Sequence, residues 1–461
     1  MSQRTKSTID KALDINLDLM KYGSFAEIGA GQEVARQFFQ AGKASQTIAL
    51  TISAYDMTYS DIIYGKEKSG RYVCESRLRK MLEKEYTKLI DRLDATRGSK
   101  TTFFAFADTV ATASNNHGSK SHGWMGVRFQ HKPQSAPSEV MLHMRLLDKH
   151  RLQQQDALSV LGVNLIHSAF YSTKDTETFI DHLFDDIKAG SISVDAIHFS
   201  GEAFRPFNEI KANLLMVEKG WSDAVYINPE GQIQNPSDGL WGKNILVQRA
   251  FYHPVTNTHI DVADKGQQHF TKEFDLRAND TTTVFEFNFN NRIKKSTLSI
   301  EEALIKVEML SALKKPILVT NFSLFYQLKE YLRLISDKPL GIVIGASNLE
   351  KLFDEKFYSD LSGGLLEGMG KLLDKSTRLY IYPHKTPLIC IQTKTFNPNK
   401  NIRNVYTHLI DNKLIQDISG CDQITEFIHS EDIVKLIKKK DSSWKKLVPH
   451  EIQNIIAKQV K

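Results

Sequence analysis

Cysteine is scarce in this chain. Only Cys74, Cys390 and Cys421 occur in 461 residues. No two of them stand at Cys-x-x-Cys spacing, so neither a zinc knuckle nor a disulfide framework is indicated, and a reducing compartment fits. Long apolar runs are missing too. No stretch reaches the roughly 18 apolar residues of a membrane span. The first residues, MSQRTKSTIDKALDINL, carry charges where a signal peptide carries an apolar core. A cytoplasmic protein without a membrane partner is therefore expected. Charge of one sign is barely in excess: the formal net charge is +6 over the whole chain. Much of the excess sits in KLIKKKDSSWKKL near the C-terminus, and a solvated helix face accounts for it. Nucleic acid is not an expected partner. Several catalytic signatures are absent as well: the Gly-x-x-x-x-Gly-Lys-Ser/Thr loop, His-Glu-x-x-His and Gly-x-Ser-x-Gly. GAGQEVA completes only part of a dinucleotide fingerprint, because Val34 stands where the third small residue belongs.

What is present is ordinary globular composition, with 41% hydrophobic and 25% charged residues, and enough length for two or three domains. The stretch SFAEIGAGQEVARQFF, Ser24 to Phe39, reads as a strand, a tight turn and a helix N-terminus. Such a junction offers backbone N–H groups and partial positive charge to an anion. Gly29, Gly31 and Gln32 would then hold a phosphate; the alternative is a turn built of glycine for its backbone geometry alone.

Thr47 to Ser53 is apolar, and periodicity leaves strand and buried helix both open. The Tyr- and Asp-rich segment after it, with Asp56 and Asp61, reads as a loop over a pocket or as a surface loop anchored by aromatics. Arg71 to Leu93 predicts an amphipathic helix. TTFFAFADTV, GWMGVRFQ and EVMLHMRLLD are strands joined without helices, which favours antiparallel pairing. Further along, KPILVTN and LGIVIGA are near-continuous apolar strands separated by a helix, the pattern of a parallel βαβ unit covered on both faces. The fold class expected is α/β: a mixed sheet in the N-terminal half and a parallel, Rossmann-like βαβ core in the C-terminal half. The expected divisions are a polar lead-in at 1–22, a mixed α/β domain at 23–275, a parallel domain at 281–395 and a helical segment at 396–461.

Acidic residues cluster at predicted strand ends: Glu27, Asp56, Asp61, Asp108 and Asp148. Ligands of α/β sheets gather there, and carboxylates in that place suit Mg²⁺ with a phosphate. Asp56 and Asp61 are the candidate metal ligands, and helix caps and ion pairs are the other reading of each acid. Asp108 and His143 are the candidate catalytic acid–base groups. Arg128 and Arg145 are candidate anion forks, or partners of nearby carboxylates. His117 and His122 share a glycine-containing loop. Cys74 begins a helix but has no base at a telling spacing.

Several of these segments together resemble one bacterial family: SFAEIGAGQEVARQFF, TISAYDMTYSDIIYG with RYV beyond it, FAFADTVA, HGWMGVRFQ, LHMRLLDK, QQQDALSVLGVNLIHSAFY and NPSDGLWGK. The similarity runs from about Leu17 to about Pro383. Members carry the name nicotinate- or nicotinamide-nucleotide adenylyltransferase, or TonB-dependent receptor. The second name conflicts with a chain that shows no signal peptide and no run of barrel strands. The first implies nucleotidyl transfer and a His-x-Gly-His-type phosphate motif after the first strand. Here that turn reads Ile-Gly-Ala-Gly-Gln-Glu, and HGSKSHG spaces its histidines differently. The expectation is an enzyme acting on a nucleotide or another phosphorylated small molecule with Mg²⁺; the alternative is a non-catalytic protein-interaction scaffold. Oligomeric state is open.

Overall fold

A computed structural model describes residues 6–29, 31–68, 70–112, 121–291, 296–386, 388–424 and 427–459. The chain forms two compact units, Met1–Asp223 and Ala224–Lys461.

Unit 1 opens with helix α1 (Thr8–Leu17), strand β1 (Lys21–Gly29) and helix α2 (Val34–Ala41). Strand β2 (Ile48–Ala54) and helices α3 (Met57–Tyr64) and α4 (Glu75–Arg97) follow. The segment left open between strand and helix is thus a strand, and the Tyr–Asp segment after it is a helix, capped by the Asp56 carboxylate on the Tyr59 amide at 2.8 Å. Next come β3 (Thr102–Ala111), β4 (His122–Phe129) and β5 (Ser138–Leu146). Helices α5 (Arg151–Tyr171) and α6 (Thr176–Leu183), strand β6 (Ile192–Ser200) and helix α7 (Glu209–Glu218) complete the unit.

The six strands lie in the order β2-β1-β3-β4-β5-β6. β1 is parallel to both neighbours, and β3 to β6 are antiparallel. Alternation sends Phe25, Phe104, Phe106 and Phe129 to one face, where Phe38 of α2 and Phe170 of α5 meet them edge-on. The other face is narrower, with Ala26 and Ala107, so α4 can sit close and bury Leu78, Met81 and Leu82.

Unit 2 begins with the hairpin β7 (Ala224–Ile227) and β8 (Ile233–Gln234), helix α8 (Pro236–Leu240) and strand β9 (Asn244–Arg249). Helix α9 (Asn257–Glu273) leads to β10 (Thr281–Asn288), the short β11 (Asn290–Asn291) and β12 (Ser296–Thr297), and helix α10 (Ile300–Ala312). Then follow β13 (Ile317–Thr320), α11 (Phe325–Arg333), β14 (Leu340–Gly345), α12 (Leu349–Leu352), α13 (Gly364–Leu372) and β15 (Thr377–Tyr382). The last part holds β16 (His384–Lys385), β17 (Cys390–Ile391), α14 (Arg403–Asp411), β18 (Ile415–Asp417), α15 (Ser430–Lys438) and α16 (Gln453–Gln459).

The large sheet has the order β18-β15-β14-β9-β10-β13-β7-β8. From β13 to β18 all pairs are parallel. Counted from β9, the parallel strands run 3-2-1-4-5-6, the doubly wound order, and the direction of winding reverses between β9 and β14. Both faces are covered. Val262 and Phe270 of α9 pack on Leu246, Val343 and Tyr380, while Leu328 and Leu332 of α11 pack on Ile245, Val247 and Leu340. That double burial explains the unbroken apolar runs of these strands.

Three expectations are corrected here. The boundary placed near 275–281 falls inside unit 2, between α9 and β10, whose strand pairs with β9; a polar segment marked a connection rather than a domain edge. The helical tail expected at 396–461 also supplies an edge strand, β18, to the same sheet. Cys390 and Cys421 form a disulfide across a sequence separation of 31. The absence of a short spacing motif was no guide, because the fold brings distant residues together, and cysteine use no longer argues for a reducing compartment. The described sheets are open ones with edge strands, and no described helix is long and apolar enough to cross a membrane.

Candidate functional site

In unit 1 the glycine turn lies where expected, at the carboxyl end of β1, with Ala30 outside the described residues. The Val34 amide at the start of α2 has a partner: Glu27 Oε1 accepts from it at 2.9 Å. A carboxylate of the chain itself thus stands where the phosphate was expected. Gly31 passes directly over Asp108, and a Cβ there would lie 2.2 Å from Asp108 Oδ1. Gly29 has φ +81, and its Cβ would strike the Val110 carbonyl oxygen. Close packing and left-handed backbone account for both glycines. Gln32 is exposed and folds back toward the Gly29 carbonyl oxygen, 3.3 Å away.

Glu27 and Asp108 are register partners on β1 and β3. Among the described residues no side chain donates to either Asp108 oxygen, and the Ile28 amide on the neighbouring strand is the one group that favours its ionised form. Burial, with the Glu27 charge adding to it, pushes the Asp108 carboxyl well up. Burial also pushes Glu27 up to about 7, against the Val34 and Ala35 amides that favour its ionised form.

The remaining unit 1 candidates are scattered. Arg128 donates to Glu139 at 3.0 Å, and Arg79 donates to the other oxygen of Glu139. His143 and Arg145 lie toward the other end of β5. The register pairs Arg128 with Glu139 and His122 with Arg145, which separates the two arginines by roughly 20 Å at about 3.3 Å per residue. Asp108 pairs with Met125, while His143 pairs with Trp124. Asp108 and His143 therefore point to opposite faces of the sheet and do not form one acid–base site.

His143 belongs to a network of its own. Its Nδ1 is 3.1 Å from Asp195 Oδ2, and its Nε2 is 3.1 Å from His122 Nδ1. Asp195 is the extra residue of a bulge in β6, between Val194 and Ala196, which pair with Met144 and His143. The bulge turns its carboxylate toward His143 and Arg145. Arg145 also donates to Asp223. Burial acts to raise the Asp195 carboxyl, but the Arg145 charge and the His143 bond overcome it and hold it below its ordinary value. His117 lies outside the described residues.

Asp56 is occupied as a helix cap, and Asp61 is paired with Arg77 at 2.5 Å and with the Tyr72 hydroxyl. They do not converge. Among the described residues no group of three or more His, Cys, Asp or Glu could hold a metal.

Unit 2 carries a cavity of about 340 Å³ at the carboxyl ends of β9, β10 and β14, where the winding reverses. Gln248, Arg249, Asn288, Gly345 and Asn348 line it, with Lys351 from α12 and His429 to Glu431 from the last part of the chain. Its size lies within the range of small-molecule sites. Arg249 is fixed on Glu286 through two bonds, Nε at 2.5 Å and Nη2 at 2.8 Å, and the Thr320 hydroxyl donates to Glu286 Oε1 at 2.6 Å.

His259 stands at this cavity in the first turn of α9. The Thr256 amide donates to His259 Nδ1 at 2.9 Å, and the Thr256 hydroxyl lies 3.0 Å from the same nitrogen. Nδ1 is thus the acceptor, and in the neutral ring the proton sits on Nε2. Burial, with the Lys306 charge adding, pushes this imidazole down to about 4, so the ring is neutral near pH 7. The Ser430 hydroxyl donates to the Pro254 carbonyl oxygen at 2.8 Å, and the Ile428 amide donates to Thr258 Oγ1 at 3.0 Å. The segment carrying His429 is thereby fastened to the turn that enters α9.

Sequence reasoning missed this site, although a signal was there. The first strand of the doubly wound sheet is β9, not the first strand of the chain. After it comes His-Pro-Val-Thr-Asn-Thr-His, residues 253–259. Thr256 and His259 share the spacing of the two histidines in a His-x-Gly-His-type motif, with a threonine at the first place and a histidine at the second.

No family model and no curated protein matches this chain. Solved structures similar to part of it include the competence/damage-inducible protein CihA from Agrobacterium tumefaciens, at 17% identity and a TM-score of 0.27, over 36% of this chain and 97% of that one. Another is the competence-damaged protein (CinA) superfamily protein from Enterobacter cloacae, at 12% identity and a TM-score of 0.26, over 36% of this chain and 95% of that one. At these TM-scores the likeness carries no argument about activity.

Proposed function

We propose that unit 2 binds a nucleotide in the cavity between β9 and β14 and transfers a nucleotidyl group, the activity that the resemblance to nucleotide adenylyltransferases implies. The observation that carries this reading is His259, held as an Nε2–H donor beside a cavity at the point where the winding reverses. There a neutral imidazole donates to a phosphate oxygen, and the N-terminus of α9 adds partial positive charge. Lys351 supplies a cation on the cavity wall. Arg249 is already neutralised by Glu286, so it shapes the floor. In the transfer, a phosphate oxygen of one nucleotide attacks the α-phosphorus of a nucleoside triphosphate, the bond to the bridging oxygen breaks, and pyrophosphate leaves with that electron pair. Positioning and charge neutralisation by these groups are the chain's contribution. Mg²⁺ would arrive on the triphosphate, since the described residues offer no carboxylate cage for it.

The test is pyrophosphate release by the full chain, given a nucleoside triphosphate, nicotinamide or nicotinate mononucleotide and Mg²⁺. His259→Ala is expected to lower the rate about 100-fold or more while the circular dichroism spectrum stays that of the wild type. Failure of the wild type to release pyrophosphate with any nucleoside triphosphate, or to gain thermal stability from one, overturns the reading.

A further inference from the structure

We infer that unit 1 is a dimerisation module, and that two copies of this chain join their sheets through antiparallel pairing of β2. β2 is an edge strand, bonded to β1 on one side. No backbone hydrogen bond from elsewhere among the described residues reaches Ile48 to Ala54. Soluble proteins usually blunt such an edge with charge, proline or a bulge. β2 has an irregularity near its start, where Gly23 pairs with Ile48 and Ser24 with Leu50, and beyond it neither charge nor proline interrupts the edge. From Ala44 to Tyr55 the chain reads ASQTIALTISAY, without a charge, proline or glycine. Its register with β1 is regular from Ser24 and Leu50 onward.

The occupant that fits is a second β2. A two-fold axis near Thr51 sets Leu50 of each copy opposite Ile52 of the other, an isologous contact within the regular part of the strand. Lys43 precedes the uncharged stretch and Asp56 follows it. Antiparallel pairing brings the basic end of one strand to the acidic end of the other, whereas parallel pairing would set like charges together. The area also suffices. Leu50 is 44% exposed, and beside the strand Tyr55, Met57, Tyr59 and Ile62 are 58–77% exposed. Large side chains carry roughly 150–250 Å² each, so these five offer on the order of 500 Å² per copy. With the strand backbone added, that approaches the roughly 800 Å² per partner of a standard interface.

Analytical ultracentrifugation of the full chain is expected to show a dimer, and Thr51→Lys, a charge at the centre of an exposed strand, to convert it to a monomer with an unchanged circular dichroism spectrum. Thr51→Cys in a Cys74→Ser background is expected to give a covalent dimer with a short thiol cross-linker, because residues opposite each other on paired strands have Cβ atoms about 5 Å apart. A wild-type monomer at about 100 µM, far above a Kd of about 1 µM, a dimer that survives Thr51→Lys, or a dimer that Thr51→Cys fails to cross-link overturns the proposal. A wild-type monomer that captures a foreign extended peptide at β2 also overturns it, in favour of a heterologous partner.

Discussion

Each unit contains a place where a parallel strand has its successors on both sides, and the two places have opposite fates. In unit 1, β1 lies between β2 and β3, and the crevice at its carboxyl end receives the chain's own groups. Glu27 takes the first amide of α2, and Gly31 lies on Asp108. In unit 2, β9 lies between β10 and β14, and the corresponding crevice is a cavity of about 340 Å³ with His259 beside it. Strand order makes a crevice; the side chains that end the strands decide whether it receives a ligand. A glutamate two residues before a glycine turn closed one, and a histidine bonded through Nδ1 to its own helix cap left a donor at the other.

Three experiments press on this contrast. The largest effect is expected from Glu286→Gln. It leaves Arg249 without its carboxylate in a buried place, at a cost of about 3–5 kcal/mol, read as a lower denaturation midpoint. Loss of less than about 1 kcal/mol would show that the floor of the cavity is not held by this pair.

The next effect concerns the closed crevice. Glu27 titrates at about 7 in the folded chain against an ordinary 4.5. Between those values the folded state holds more protons than the unfolded one. Its contribution is therefore complete below about pH 4.5, shrinks as pH rises and is lost once pH passes 7. The change amounts to about 3 kcal/mol at 1.4 kcal/mol per unit. Denaturant unfolding between pH 5 and 8 should show that slope, to which the raised Asp108 carboxyl adds, and Glu27→Gln, which still offers a carbonyl oxygen to the Val34 amide, should reduce it. A variant with the slope of the wild type would place the titrating group elsewhere.

The smallest effect is expected from Asp195→Asn. Arg145 keeps Asp223 as a partner, so the cost is about 1–3 kcal/mol, less than for Glu286→Gln. Nucleotide-induced stabilisation should be unchanged. If that stabilisation disappears, the His143 network belongs to the site and the separation of roles between the units fails.

Much of the architecture was legible from pattern alone. Apolar runs bounded by turns marked most strands of both sheets, though not the edge strands β2 and β18, and their unbroken character marked the doubly covered sheet of unit 2, because burial on two faces removes alternation. The site was less legible. Glu27, Asp108, Arg128 and His143 were visible as residue types near strand ends, but their roles depended on which sheet face each one occupied and what stood opposite. Asp195 escaped notice because a bulge, invisible in a pattern of alternation, turned it toward His143. Cys390 and Cys421 escaped for a similar reason: pairing across 31 residues follows from the path of the chain, not from a local spacing.

The amino-acid sequence by itself determined the α/β class of this protein, the position of most of its longer strands and helices and the side chains available at their ends, since these follow from local periodicity and chemistry. Only the tertiary structure decided which strand is first in the doubly wound sheet, and so which turn meets an open cavity. Strand order is a long-range property, set by how helices cover a sheet, and no window of neighbouring residues contains it.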